Sequence, residues 1–98
     1  MNRFVLTPAA EGDLLKIIEY LEGDNPNAVL KVDDALDKAM QRLTEIPAIG
    51  HERSDLTNED VRFWPVFKYL VVYRPETKPL EIVRVLHGRR DVERILSN

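Results

Sequence analysis

Residues 61–91, VRFWPVFKYLVVYRPETKPLEIVRVLHGRRD, constrain this chain more than any other stretch. β-Branched, leucine and aromatic residues run through it in three blocks set apart by prolines, a pattern of short strands. We expect strands over 61–64, 68–74 and 80–87, with a turn near Pro65 and a loop over 75–79. Links this short make neighbouring strands antiparallel. In the last two strands both faces are apolar, with Tyr69, Val71 and Tyr73 opposite Leu70 and Val72, and Val83 and Val85 opposite Ile82 and Leu86. A helical layer covers one face, so the other needs a second shield, from the C-terminal segment or from a partner.

The first half of the chain supplies that helical layer. Phe4, Val5 and Leu6 form a short strand, and Thr7 followed by Pro8 is a helix start, with a hydroxyl to cap and a ring at the first helical position. Ala10, Leu14, Ile17 and Leu21 then recur on one face, with Ile18 on its flank, which predicts a helix over 8–22 ended by Gly23. Asn25 and Pro26 repeat the start signal, and Pro47 forbids continuation, so a second helix is expected over 26–46. Its main stripe is Ala28, Val32, Ala35, Ala39, Leu43 and Ile46, with Val29, Leu36 and Met40 in a line beside it. That arc is wider than one neighbour needs, and it implies two packed elements or a groove for another chain. The three-residue link makes the two helices an antiparallel hairpin.

The segment over 47–60 reads as irregular, with Ile49 and Leu56 its buried residues. After Gly88, Asp91 is placed to cap a short helix over 92–97 that must dock through Val92, Ile95 and Leu96. The expected fold is a single α+β domain over 1–98, an antiparallel sheet packed against an antiparallel helical hairpin, in the order β-α-α-β-β-β with a short C-terminal helix. Its 98 residues fill one core and leave no room for a second domain.

Composition narrows the chemistry. Without cysteine the chain has neither disulfides nor a thiolate metal site, and it suits a reducing cytoplasm. It has neither a signal peptide nor a membrane-length apolar run. A net charge of -3 argues against general or sequence-specific DNA binding. The charge is divided: residues 1–61 carry 6 basic against 13 acidic side chains, and residues 62–98 carry 8 against 4. An acidic helical half therefore covers a basic strand half, an arrangement that steers an acidic partner to one face.

Few residues suit catalysis. Ser54 and Ser97 lie in a link and a terminal segment, and only His51 and His87 would serve as bases near neutrality. His87 and Asp91 straddle a glycine and have no third ligand nearby, so no metal and no cofactor is expected. Asp33, Asp34 and Asp37, interleaved with Lys31 and Lys38, read as a solvated helix face, and Trp64 beside Pro65 as core. The arginines stand apart: Arg62, Arg74, Arg84, Arg89, Arg90 and Arg94 all fall in the strand half. By alternation Arg84 shares a face with Ile82 and Leu86, where it needs a carboxylate or phosphate; Glu81, Asp91 and Glu93 are the internal choices.

The ordered motifs Thr7-Pro8-x-Ala10, Pro47-x-x-Gly50, the run from Val61 and Arg62 through Tyr69-Leu70-Val71 to Tyr73-Arg74, and Val85-Leu86-His87-Gly88-Arg89-Arg90-Asp91 resemble the ParE branch of the RelE/ParE superfamily of bacterial toxins. The resemblance covers essentially the whole chain. It implies the toxin component of a type II toxin-antitoxin system, a cytoplasmic inhibitor that binds DNA gyrase and is neutralised by a cognate ParD-like antitoxin wrapped over helices and sheet, as in plasmid stabilisation modules. It makes Leu15, Val29, Leu36, Met40 and Arg84 candidate antitoxin contacts, and Arg89, Arg90 and Arg94 candidate target contacts. The alternative, from the RelE branch, is a ribosome-dependent mRNA endonuclease using Arg84, His87 and Arg90. Positions where that branch carries basic sheet residues hold Val61, Phe63 and Leu70 here, and its terminal tyrosine position holds Leu96. Apolar groups neither activate a 2'-hydroxyl nor stabilise charge on phosphate, so a non-hydrolytic inhibitor is the expectation.

Overall fold

The computed structural model describes residues 3–88 and 91. Strand β1 (Phe4–Leu6) leads into helix α1 (Pro8–Asp24), a 3-10 turn at Pro26–Ala28 and helix α2 (Val29–Glu45). A second 3-10 turn at Pro47–Ile49 opens the long connection to strands β2 (Arg62–Val66), β3 (Tyr69–Arg74) and β4 (Leu80–His87). The expected helix over 92–97 lies outside the described residues.

The α+β architecture is as expected, but the sheet is mixed. Its order is β1-β4-β3-β2. The last three strands form the antiparallel meander, whereas β1 pairs with β4 in parallel, Phe4 opposite Leu80 and Leu6 opposite Ile82. Short links impose antiparallel pairing only on consecutive strands; two helices separate β1 from β2, and no turn dictates how β1 lies beside β4.

Local signals at the helix starts fare differently. The Thr7 hydroxyl accepts from the Ala10 N–H at 3.1 Å, so the predicted cap is made. The Asn25 side chain makes no cap bond, and residues 26–28 form a 3-10 turn before the α-helix begins at Val29. On α2 the buried residues are Val32, Leu36, Met40 and Leu43, while Ile46 is 44% exposed. The apolar arc faces the sheet along a line between the two rows expected from sequence. Leu36 and Met40, both 2% exposed, therefore belong to the chain's own core.

The sheet's far face also has its own cover. Leu56, Val61, Phe63, Val72 and Leu86 form a second buried cluster, with Leu70 and Val83 packed against it. Its lid is the connection over 50–61, anchored by Leu56 and pinned to β2 where His51 and Phe63 exchange backbone hydrogen bonds of 2.8 and 2.9 Å. The connection over 50–61 thus supplies part of the shield that the apolar far face requires, while Leu70 and Val83 stay only partly buried.

Two backbone features correct the strand reading. Strand β2 continues through Pro65, which an edge strand tolerates, and the turn falls at Phe67 and Lys68. In β4 the register shifts: Val72 opposes Arg84 and Tyr73 opposes Ile82, leaving Val83 as an extra residue. The bulge resets the alternation, so Ile82 and Val85 both join the helix-side core and Val83 and Leu86 both join the far-face cluster.

Tyr73 locks the connection to the sheet. Fully buried, its hydroxyl accepts from Gly50 N–H at 2.9 Å and donates to the Pro47 carbonyl at 2.6 Å. Any Cβ at position 50 would collide with the Tyr73 ring, which accounts for a glycine there.

Candidate functional site

Strand β1 stops at Leu6, so among the described residues the outer edge of β4 from Val83 onward has no neighbouring strand. Side chains take its place. The Thr7 hydroxyl donates to the Val83 carbonyl at 2.7 Å, the Asp13 carboxylate accepts from Val85 N–H at 2.9 Å, and Asp91 accepts from His87 N–H at 3.3 Å.

Asp13 is the centre of this arrangement. Besides Val85 N–H it takes both Nε and Nη2 of Arg84, each at 2.8 Å, as a two-pronged charge-assisted pair. The pair is mostly withdrawn from solvent, with the Arg84 and Asp13 side chains 23% and 12% exposed. The hydrogen bonds from Asp13 raise the Arg84 pKa above its already high ordinary value, burial opposing them weakly. The carboxylate that Arg84 required is therefore internal, and it is Asp13, which was not among the expected choices; Asp91 adds a weaker electrostatic contribution, and Glu93 lies outside the described residues. Glu81 instead pairs with Arg74 across β3 and β4 at 2.7 Å, and Arg62 caps the Gly50 carbonyl at 2.9 Å.

Beside this pair lies an open cleft of about 390 Å³, walled by α1 on one side and the ends of β3 and β4 on the other. Asp13 and Arg84 form its charged wall, and Ile17, Tyr20, Tyr69 and Val85 supply apolar and aromatic surface. His87 stands exposed at the rim, edge-to-face against the Tyr69 ring with centroids 5.5 Å apart. Burial, with Tyr20 nearby, pushes the Tyr69 phenol above its ordinary value.

Of the expected site residues, the structure brings Arg84 and His87 to this one cleft. Leu15 is 61% exposed on another flank of α1, and Val29 is half-buried against the core. Arg89, Arg90 and Arg94 lie outside the described residues. Sequence reasoning missed Asp13, Lys16, Tyr20 and Tyr69 as cleft residues. Asp13, Lys16 and Tyr20 recur at helical spacing and were legible as a face, but nothing local linked that face to a strand 71 residues away.

Chemically the cleft offers contact surface more than catalysis. A guanidinium already bonded twice to a carboxylate has little capacity left for a phosphate. On the far face, Val61 and Phe63 are 4% and 2% exposed beneath Leu56, and Leu70 packs beside them. Val61 and Phe63, with Leu70 partly buried beside them, are thus members of an apolar cluster.

The fold is thus a helical hairpin on one face of a small mixed sheet, with an apolar cluster on the other. Residues 4–92 match the family model described as the ParE toxin of the type II toxin-antitoxin system parDE, and the chain belongs to that family. It is 28% identical over 93 residues to Toxin ParE3 of Caulobacter vibrioides, a match spanning 94% of this chain and 92% of that protein. Among solved structures, a chain of the chromosomal ParDE TA system from P. aeruginosa shares the fold, with a TM-score of 0.71 at 21% identity, covering 91% of this chain and 98% of that one.

Proposed function

We propose that this ParE-family toxin acts by binding DNA gyrase and blocking its supercoiling activity, and that a cognate ParD-like antitoxin, as in the ParDE system whose toxin fold it shares, holds it inactive in the cytoplasm. One observation carries the choice of a binding inhibitor over a nuclease: Val61 and Phe63 are buried in an apolar cluster where phosphate chemistry needs exposed cations. The internal pairing of Arg84 with Asp13 points the same way, because it withdraws one of three groups the nuclease alternative requires. On the antitoxin side, Leu15 is the exposed apolar member of the contact set, with Val29 half-buried beside the core. In this reading the basic segment holding Arg89, Arg90 and Arg94 contributes to the target contact.

Purified gyrase assayed for supercoiling with antitoxin-free toxin tests the proposal. The expected result is dose-dependent loss of supercoiling, reversed by a co-purified antitoxin. Undiminished supercoiling at excess toxin, together with new mRNA 5' ends within translated codons after induction, would replace it with the ribosome-dependent nuclease.

A further inference from the structure

Phe67 is the first of the two residues that join β2 to β3, since Val66 pairs with Tyr69. Its φ is 54°, in the left-handed region that glycine and asparagine visit readily and a bulky aromatic avoids. Burial does not compensate, because the side chain is 60% exposed. A large apolar group is thus held in a strained conformation at a hairpin tip, facing water.

Lysines flank it, with acidic side chains interleaved along α2. Lys31 Nζ sits 5.7 Å from the Phe67 ring centroid, a cation–π distance that fixes which flank of α2 faces the hairpin. Lys38 and Arg42 follow at seven and eleven residues and so lie on that same flank, while Lys68 adjoins Phe67 in the turn. Lys38 meets Asp34 at 3.0 Å, but both side chains are largely exposed and the pair yields readily to a partner.

We infer that Phe67 is an apolar anchor with which the toxin engages gyrase, seated in an apolar socket whose rim carries carboxylates that meet Lys31 and Lys68. The inference rests on the gyrase reading above and adds a contact distinct from the basic C-terminal segment. An exposed aromatic with a charged fringe has the composition of an interface hot spot awaiting its partner. An exposed ring beside cations also suits a single-stranded nucleic acid, but that mode draws its strength from many neutralised phosphates, and this chain carries a net charge of -3.

The test compares wild-type toxin with F67G and F67N, both of which accept the turn conformation, and with the K31Q/K68Q pair. F67G and F67N are expected to melt at or above the wild-type temperature while needing at least about tenfold more toxin for half-inhibition of supercoiling. K31Q/K68Q is expected to weaken inhibition and flatten its dependence on salt. Folded F67G and F67N that inhibit as wild type overturn the inference and leave the gyrase reading intact. Wild-type toxin without effect on gyrase overturns both. Oligonucleotide binding by wild type that F67G abolishes overturns it in favour of a stacking platform.

Discussion

Tyr73 shows how much a single polar atom can hold in a small toxin. Its hydroxyl serves two backbone groups at once, and replacing it with phenylalanine strands both in the interior. Y73F is expected to lower unfolding free energy by about 1–3 kcal/mol, measured by urea denaturation at neutral pH. The same residue predicts a pH limit. Burial, against weaker opposing effects of the Gly50 hydrogen bond and Arg62, raises the Tyr73 phenol above the ordinary 10.0. The fold favours the neutral phenol, so this stability is fully present below the unfolded value and is lost as pH rises through the higher folded value. Urea midpoints should hold level to about pH 9 and fall above about pH 10, with part of that fall absent in Y73F. Asp13 matters through both its partners. D13A leaves Arg84 and Val85 N–H unpaired and should cost about 3 kcal/mol, whereas D13L/R84M should cost less, both read by denaturation. The sequence showed that Arg84 needed a carboxylate. It did not show which, because a residue displaced by a bulge no longer obeys the alternation from which its neighbours are inferred.

Among the elements, the strands and helices were legible and their junctions were not. Periodicity located α1, α2 and the four strands to within a few residues, since burial on one face writes itself into the spacing of apolar side chains. The direction of β1, the bulge at Val83 and the turn at Phe67 left no such trace. The connection over 50–61 was the largest omission. It looks irregular because its ordering comes from three unrelated contacts: the Tyr73 hydroxyl, the His51–Phe63 bridge and Leu56 under the far face. Leu56 is 4% exposed, and L56A should reduce stability by about 2–5 kcal/mol by opening a cavity there. Hydrogen exchange of the amides in residues 51–61 should rise more than that of α1 or α2, which tests whether Leu56 secures the lid specifically.

For the molecule as a whole, the family and its two-layer design followed from motif order, but the surfaces that decide activity did not. The wide apolar arc on α2 left open two packed elements or a groove; the structure spends it on the core, through Leu36 and Met40, and leaves Leu15, Tyr20, Leu30 and Phe67 exposed. Charge asymmetry survives as a prediction. With basic side chains gathered in residues 62–98, gyrase inhibition should weaken as salt rises from about 50 to about 200 mM, measured as the toxin concentration for half-inhibition. The parallel contact of β1 with β4 has a consequence in time. Strand β1 waits for β4 during synthesis, and Thr7 and Asp13 wait with it for partners more than 70 residues downstream. A nascent chain that has not yet delivered Leu80–His87 has neither a closed sheet nor a settled α1. Completion of the sheet is thereby tied to the synthesis of Leu80–His87, and no shorter stretch of the chain holds all the partners it needs.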